Sequence, residues 1–397
     1  MNAFMTAVET AFGQDVSEAD FTRFAKNIDP GRTVAAFDGD AIVGTTADYS
    51  LDMTIPGGSL PTAGVTVVGV LPTHRRRGIL TGMMRRQFDA IHERGQPLAA
   101  LWASESVIYQ RYGFGLASHQ LSIDAERSRI VFRDGHSAEG RWRLVPLEEA
   151  APAISDVYDR VRGLRPGMYS RSAQWWATHV LLDPKEKRDG AGPLFCAVWE
   201  SEGQVEAYAL YRVHNEWGAA GTASRLTVHE AIGSSGEATK EIWRFLFGVD
   251  LIVRIQTSHS WLPLDHPLLQ LLADTRNLRA RMSDALWVRL VDVPAALEAR
   301  GYAAAGRLTF ELGDGFCSWN EGRWTLSSDG KAGTCTPSSD AAAMRIDVED
   351  LAVAFMGGSS FTALAEAGRI GDVTPETLRA ADDMFRTPYA PWCPEIF

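Results

Sequence analysis

Cysteine is scarce in this sequence, and no paired cysteine motif is present. The 397 residues contain 4 cysteines, at positions 196, 317, 335 and 393, and none belongs to a C-x-x-C pair. Disulfide scaffolds and zinc knuckles need closely spaced cysteines, so neither is indicated. We therefore expect no metal site and a reducing, cytoplasmic environment.

Long apolar runs are also missing. Nowhere do about 18 apolar residues follow one another, the length that a membrane-spanning helix requires. The N-terminal segment MNAFMTAVETAF has no basic beginning and carries Glu9, unlike a secretion signal. We expect neither membrane insertion nor secretion.

Positive charge is in deficit. Lys and Arg total 39 against 50 Asp and Glu, giving a net charge of −11. This balance disfavours nucleic acid and anionic membrane surfaces as partners and is compatible with cationic small molecules. The apolar content of 45% is that of an ordinary folded protein, and the length allows two or three domains.

Several common catalytic motifs are absent. The sequence contains no G-x-S-x-G, no G-x-x-x-x-G-K-[ST] and no H-E-x-x-H. The glycines of GFGLAS at 113–118 break the dinucleotide-binding pattern and follow a short helical stretch instead of a strand. These absences argue against nucleophile-elbow hydrolases, P-loop enzymes, zinc peptidases and nicotinamide enzymes.

The most informative segment runs from Val65 to Ser118. Its β-branched and apolar residues, helical periodicity and glycines predict four elements in order. These are a strand buried on both faces at 65–70, a helix from Gly78 to Gly95, a second strand at 98–103, and a short helix capped by Ser104 that ends at Gly113.

The loop between the first strand and its helix suits an anion. A helix N-terminus presents unpaired N–H groups, and Gly78 has no Cβ to keep a phosphate away from them. Arg75, Arg76 and Arg77 add positive charge immediately before it. The alternative is a solvated arginine cluster, but the flanking strand and glycine favour a pyrophosphate site.

The residues of this segment match a known pattern. R-x-x-G at Arg75–Gly78, after a V-x-V strand, resembles motif A of the GNAT acetyltransferases, and YQRYGF at Tyr109–Phe114 resembles their Y-x-x-x-G-F signature. VGVLPTHRRRG together with LAALWASESVIYQRYGFG resembles the Enhanced intracellular survival (Eis) family of bacterial aminoglycoside N-acetyltransferases.

The resemblance implies acetyl-CoA as co-substrate and assigns its contacts by position. Leu80 departs from the general GNAT pattern, which places Gly or Ala there, but agrees with the Eis family. For Val68 and Val70 the alternative is plain core packing, so their assignment concerns main-chain groups. The implied contacts are Val68, Gly69, Val70, Arg76, Arg77, Gly78, Ile79, Leu80, Thr81, Ser104 and Glu105.

The middle of the chain indicates an internal duplication. Segments 32–47 and 195–210 both predict strand, acidic turn and strand, and 226–247 again predicts strand, glycine-containing loop and helix. In this second copy the arginines are missing, and Glu230 and Glu237 lie around the loop. Because carboxylates repel a diphosphate, we expect the second copy not to bind coenzyme A.

The last third predicts a helix followed by hairpin strands. Together with 351–370 it resembles a sterol-carrier-protein-like domain, the third domain of the Eis family. It can hold either a lipid tunnel or, as we favour, a filled core. The expected fold class is mixed α+β, with a catalytic GNAT domain at 1–138, a degenerate GNAT-like domain at 139–283 and the third domain at 284–397.

The C-terminal segment TPYAPWCPEIF is expected to dock, since three prolines stiffen it and aromatic residues can anchor it. The resemblance implies that the α-carboxylate of Phe397 accepts a proton in the active site and that Tyr109 donates one. Without the family, Phe397 would be an apolar anchor, and Tyr109 and Tyr112 half-buried aromatic residues.

The expected function is acetyl-CoA-dependent N-acetylation of polycationic amines, aminoglycosides above all, by direct transfer in a ternary complex. The resemblance further implies a homohexamer and a role in antibiotic resistance. The alternatives are a lipid-carrying or regulatory binding protein and a protein-lysine acetyltransferase. The acidic and aromatic side chains of Asp20, Phe21, Phe24 and Asp29 can line an amine pocket, but their spacing also suits an amphipathic surface helix, so both interpretations stay open.

Overall fold

Helices and strands alternate throughout the chain. The structure is a computed structural model and describes residues 1–15, 18–219, 221–257 and 262–397. The expected mixed α/β class is confirmed, with three large sheets flanked by helices. No helix among the described residues is long and apolar enough to cross a bilayer.

Three groups of elements follow one another along the chain. The first part contains α1 (Asn2–Phe12), α2 (Glu18–Asn27), β1 (Thr33–Asp38), β2 (Ala41–Ile55), β3 (Gly58–Val70), α3 (Ile79–Glu93), β4 (Leu98–Trp102), α4 (Ser106–Tyr109), β5 (Gly115–Leu116), β6 (His119–Ser122) and β7 (Asp124–Glu126). The middle part contains β8 (Arg141–Val145), α5 (Leu147–Arg162), α6 (Ala173–Trp175), β9 (Phe195–Ser201), β10 (Gln204–His214), β11 (Trp217–Gly218), β12 (Gly221–Thr222), β13 (Arg225–Gly233), α7 (Gly236–Gly248), β14 (Arg254–Thr257), α8 (Leu268–Leu271) and β15 (Arg281–Asp284). The last part contains β16 (Leu286–Leu290), α9 (Val293–Ala299), β17 (Ala305–Gly313), β18 (Gly322–Asp329), β19 (Gly333–Pro337), β20 (Met344–Asp347), α10 (Val348–Phe355), α11 (Phe361–Glu366) and α12 (Pro375–Phe385).

The first sheet has the strand order β1-β2-β3-β4-β16-β5. Helix α3 packs on it because its apolar residues recur every three or four positions, and Met84, Phe88 and Ile91 are fully buried. The predicted strand, loop and helix order is therefore confirmed, with α3 beginning one residue after Gly78.

Strands β3 and β4 separate along their length. They run parallel and pair only over Thr62–Gly64 and Leu98–Ala100, although β3 continues to Val70. Among the described strands, none pairs with the far end of β3 on its β4 side. For this reason residues 66–70 are half-buried, where burial on both faces was expected.

The second sheet has the order β7-β14-β13-β10-β9-β8, with β13 and β14 parallel and α7 between them in sequence. The third sheet has the order β19-β18-β17-β20. Its apolar face and helices α10 to α12 share one continuous core with the first sheet, which favours a filled core in the third part of the chain.

The structure differs from the expected domain boundaries at two strands. Strand β7 lies before residue 138 but belongs to the second sheet, and β16 lies after residue 284 but completes the first sheet. Every residue of β16 is buried between β4 and β5. Sequence spacing could not reveal this, because β16 pairs with a strand more than 180 residues earlier.

Candidate active site

A cleft of about 510 Å³ opens where β3 and β4 separate. It lies between the loop before α3 and the start of α4. Most residues predicted to contact acetyl-CoA line it, together with Tyr109: Val68, Gly69, Val70, Arg76, Gly78, Ile79, Leu80, Thr81, Ser104 and Glu105. The cleft therefore brings the two halves of the sequence motif together.

The start of α3 is open toward this cleft. Gly78 adopts φ 80°, a left-handed conformation that favours glycine, and apart from Gly78 and its two chain neighbours no described residue has an atom within 4 Å of where its Cβ would stand. No side chain in the described part of the chain caps the helix. The first N–H groups of α3 and the helix dipole are consequently available to an anion.

The three arginines before α3 differ in their surroundings. Arg75 is bound to the protein itself, donating from Nε to the Val70 carbonyl at 3.2 Å and from Nη2 to the Ala11 carbonyl at 3.2 Å. Arg76 is exposed, lines the cleft and has φ 63°. Arg77 is exposed and lies outside the residues that line the cleft, in contrast to its predicted cofactor contact.

A β-bulge shapes the opposite wall. The register between β2 and β3 shifts between Thr45 and Ala47, and Val67 adopts φ 48°. The Thr45 hydroxyl donates to the Val67 carbonyl at 2.9 Å, which satisfies that oxygen. Beyond the bulge, the main chain of Val68–Val70 faces the cleft without pairing to β4, so it can bind an extended amide-containing ligand.

Tyr109 lines the cleft from the end of α4. Its side chain is 5% exposed, and burial raises the pKa of its hydroxyl to about 12, against a smaller opposing effect of a hydrogen bond with Ser104. Tyr109 therefore keeps its proton at neutral pH. Ser104 was expected to cap α4, but the N-cap residue is Glu105, which forms no side-chain cap hydrogen bond. Ser104 forms a hydrogen bond with Tyr109 instead.

Other lining residues are not assigned by the sequence pattern. Tyr112, predicted only to be a half-buried aromatic residue, has its hydroxyl 3.2 Å from Thr81 Oγ1 at the start of α3. His74 and Arg111 also line the cleft. Tyr112 and Arg111 lie inside the Y-x-x-x-G-F pattern, so their position in that motif could have predicted that they line the cleft.

A second cavity, of about 610 Å³, adjoins the first cleft across β3. Val67 lines the second cavity, Val68 lines the first, and Phe12 lines both. The second cavity lies between α1, α2, the second sheet and the end of the chain. Of the four residues left open by the sequence, Asp20 and Phe24 line it, whereas Phe21 and Asp29 do not.

The C-terminal segment docks into this second cavity. Phe397 is 9% exposed, its carboxylate oxygen accepts a hydrogen bond from Thr66 Oγ1 at 3.4 Å, and its ring meets Tyr169 edge-on at 5.6 Å. Glu395 accepts from Trp175 Nε1 at 2.9 Å. The terminal carboxylate is thus hydrogen-bonded to Thr66, the residue immediately before Val67 in the bulge.

One histidine in the second cavity is kept neutral. His179 stacks on Trp175 with ring centroids 3.8 Å apart. Burial, followed by the positive charges of Arg23 and Arg171, lowers the pKa of His179 to about 3. A neutral imidazole does not repel a cationic ligand, so His179 adds no positive charge to a cavity that already contains Arg23 and Lys187.

Three family matches cover most of the chain. Residues 1–117 and 167–290 each match an acetyltransferase (GNAT) domain family, and residues 293–394 match the sterol carrier protein domain family. An uncharacterized N-acetyltransferase of Streptomyces avermitilis is 42% identical over 92% of this chain and 89% of that protein.

Relatives with the Eis name match over similar lengths. N-acetyltransferase Eis of Mycobacterium tuberculosis is 35% identical over 87% of this chain and 84% of its own. The chain belongs to the Eis family of GNAT N-acetyltransferases. The crystal structure of Eis1 from Mycobacterium abscessus agrees, with a TM-score of 0.85, 30% identity, and coverage of 100% of this chain and 97% of that one.

Membership in the Eis family establishes an acetyltransferase with two GNAT domains and a sterol-carrier-like domain. The corresponding helix start in the second GNAT domain is built differently. Ser235 caps α7 by accepting from the Ala238 N–H, and Glu237 lies in the first turn. The cavity beside it measures about 150 Å³ and is partly lined by Tyr389 and Trp392 of the terminal segment.

Proposed function

We propose that this chain transfers the acetyl group of acetyl-CoA directly to an amine of a cationic small molecule, with aminoglycosides as the first class to test. The observation that carries this proposal is the contact of two cavities across the bulge at Val67. One offers an open helix N-terminus beside Arg76, and the other holds the carboxylate of Phe397. Such a pair suits an anionic donor and a cationic acceptor.

The cleft fits coenzyme A by its chemistry. An uncapped helix start and the exposed Arg76 suit a pyrophosphate, and the main chain of Val68–Val70, which does not pair with β4, suits the amides of pantetheine. Bound acetyl-CoA would supply a thioester as the acetyl donor. The second GNAT domain, with a capped helix and Glu237, is proposed not to bind it.

Tyr109 is the proposed proton donor to the departing thiolate. With a pKa of about 12 for Tyr109 and about 8.5 for a thiol, the transfer is uphill by about 5 kcal/mol. A turnover of about 10 per second corresponds to a barrier near 16 kcal/mol, so this cost is tolerable. Because Tyr109 stays protonated, it is ready to donate at any physiological pH.

The α-carboxylate of Phe397 is the proposed proton acceptor. Direct removal of a proton from an ammonium by a carboxylate is uphill by about 6 to 9 kcal/mol, from reference pKa values near 3.5 and about 8 to 10. We propose that the carboxylate first binds the ammonium, which loses one proton to water before the neutral amine attacks the thioester. The carboxylate then accepts the second proton after attack, when the nitrogen is far more acidic. A ternary complex follows, since both cavities must be filled together.

Further properties belong to the same proposal. The net charge of −11 supports polycationic acceptors such as aminoglycosides. Homohexameric assembly, a cytoplasmic location and a contribution to antibiotic resistance are proposed from the family resemblance.

A thiol-release assay with acetyl-CoA and tobramycin or kanamycin tests the proposed function. We expect thiol release that depends on the amine, and mass spectrometry of the product then counts the acetyl groups added. Thiol release at the background rate, with lipid co-purifying with the protein, would favour a lipid carrier. Acetylation of protein lysine in place of these amines would instead favour the protein-lysine acetyltransferase.

A further inference from the structure

Glu9 is a buried carboxylate on the wall of the second cavity. It lies near the end of α1, is 7% exposed, and lines the cavity that also holds Phe397. Its carboxylate accepts no hydrogen bond from, and forms no ion pair with, any residue that the structure describes. Neither carboxylate oxygen is among the fully enclosed side-chain atoms that lack a partner in the described part of the chain, so these oxygens reach the cavity and are accessible to a ligand.

The other acidic side chains of the cavity are already engaged. Asp20 forms ion pairs with Lys187 and with Arg23, the latter at 3.5 Å. Glu230 and Glu395 both bind Arg171, with nitrogen–oxygen distances of 2.6 and 2.8 Å.

Among the described residues that line the cavity, Glu9 and the carboxylate of Phe397 are the acidic groups that form no ion pair, although Arg23 and Lys187 line it as well. An incoming cation can therefore pair with these two groups. Burial, followed by the charge of Asp20, raises the pKa of Glu9, whereas Lys187 and Arg23 oppose the shift. A cation that approaches Glu9 would stabilise its ionised form and so oppose the increase in pKa that burial and Asp20 cause.

Apolar side chains line the cavity beside Glu9, together with the charged Asp20, Arg23 and Lys187. Met5 and Val8 come from the same helix, and Phe24 and Tyr49 face it from α2 and β2. These side chains can cover the carbon framework of an acceptor while leaving its charged groups to the carboxylates.

We infer that Glu9 binds a second ammonium group of the acceptor while the carboxylate of Phe397 receives the amine that is acetylated. The preferred substrate then carries at least two cationic groups on one framework. This inference rests on the proposed function, because it assigns the acceptor to the same cavity. It makes Glu9 a determinant of specificity instead of a catalytic residue.

Steady-state kinetics of Glu9→Gln with tobramycin and acetyl-CoA test the inference. We expect KM for tobramycin to rise about tenfold to a hundredfold, as for loss of one charge-assisted contact, with kcat and KM for acetyl-CoA unchanged. The melting temperature should not fall, since an unpaired buried charge is removed. The matched control is Glu93→Gln, an exposed carboxyl at the end of α3.

Calorimetry of tobramycin binding to the coenzyme A-loaded protein separates this inference from the proposed function. Binding that weakens in Glu9→Gln but not in Glu93→Gln supports the role of Glu9, even if no thiol is released. Turnover with the same KM in wild type and Glu9→Gln would overturn the inference and leave the function intact. Absence of both binding and turnover would contradict both.

Discussion

Arg171 donates from Nε to Glu395 Oε1 at 2.8 Å, although the two residues are 224 positions apart. The same guanidinium binds Glu230 of β13 and is 1% exposed on its side chain. Arg171 thereby connects the second sheet to the segment that ends at Phe397. This contact anchors the terminal segment two residues before its carboxylate, together with the hydrogen bond from Trp175 to Glu395.

Replacement of Arg171 by alanine should destabilise the fold strongly. Glu230 and Glu395 would keep their charges without the cation that pairs with them, and breaking a buried pair from one side costs about 3 to 5 kcal/mol. Urea unfolding followed by circular dichroism measures the loss. Arg160→Ala, which breaks the more exposed pair with Glu206, is the control and should cost less than about 1 kcal/mol. Equal losses in the two variants would contradict this role of Arg171.

Extension of the chain by one alanine after Phe397 should abolish most turnover. The added residue moves the carboxylate by about 3.8 Å, away from the position beside Thr66. We expect kcat to fall at least a hundredfold while the dissociation constant for coenzyme A stays unchanged. Phe397→Leu keeps the carboxylate in place and serves as the control. Full activity of the extended chain would refute the carboxylate role.

Tyr109→Phe should lower kcat by about 10²- to 10⁴-fold, the usual contribution of a positioned proton donor. In the wild type, burial holds the pKa of Tyr109 near 12, so its acid form persists and kcat should not decline between pH 8 and pH 10 through its ionisation. A tyrosine with the ordinary pKa would be half ionised at about pH 10. Half-maximal loss of kcat near that pH, absent in Tyr109→Phe, would show that burial does not protect the proton.

Local patterns in the sequence predicted the part of the site that is local in the chain. The β-branched run of β3, the glycine after it and the helical periodicity of α3 lie close together in the sequence. The structure has these elements in the predicted order. The Y-x-x-x-G-F pattern likewise predicted Tyr109 as a site residue, and Tyr109 lines the cleft.

Long-range features could not be predicted in the same way. The place of β16 in the first sheet and the contact of Arg171 with Glu395 depend on pairing across hundreds of residues. In the sequence, Glu9 counts only as evidence against a signal peptide, and its position in the chain could not predict that it lines the second cavity. The distinction among the three arginines also needed coordinates, because only the fold shows that Arg75 is bound to main-chain carbonyls.

Isothermal titration of coenzyme A into the wild-type protein and into Arg76→Ala tests the central claim most directly. We expect one site per chain in the wild type and an affinity about tenfold to a hundredfold lower in the variant, because one charge-assisted contact to the pyrophosphate is lost. Two sites per chain, or the same affinity in both proteins, would contradict the claim.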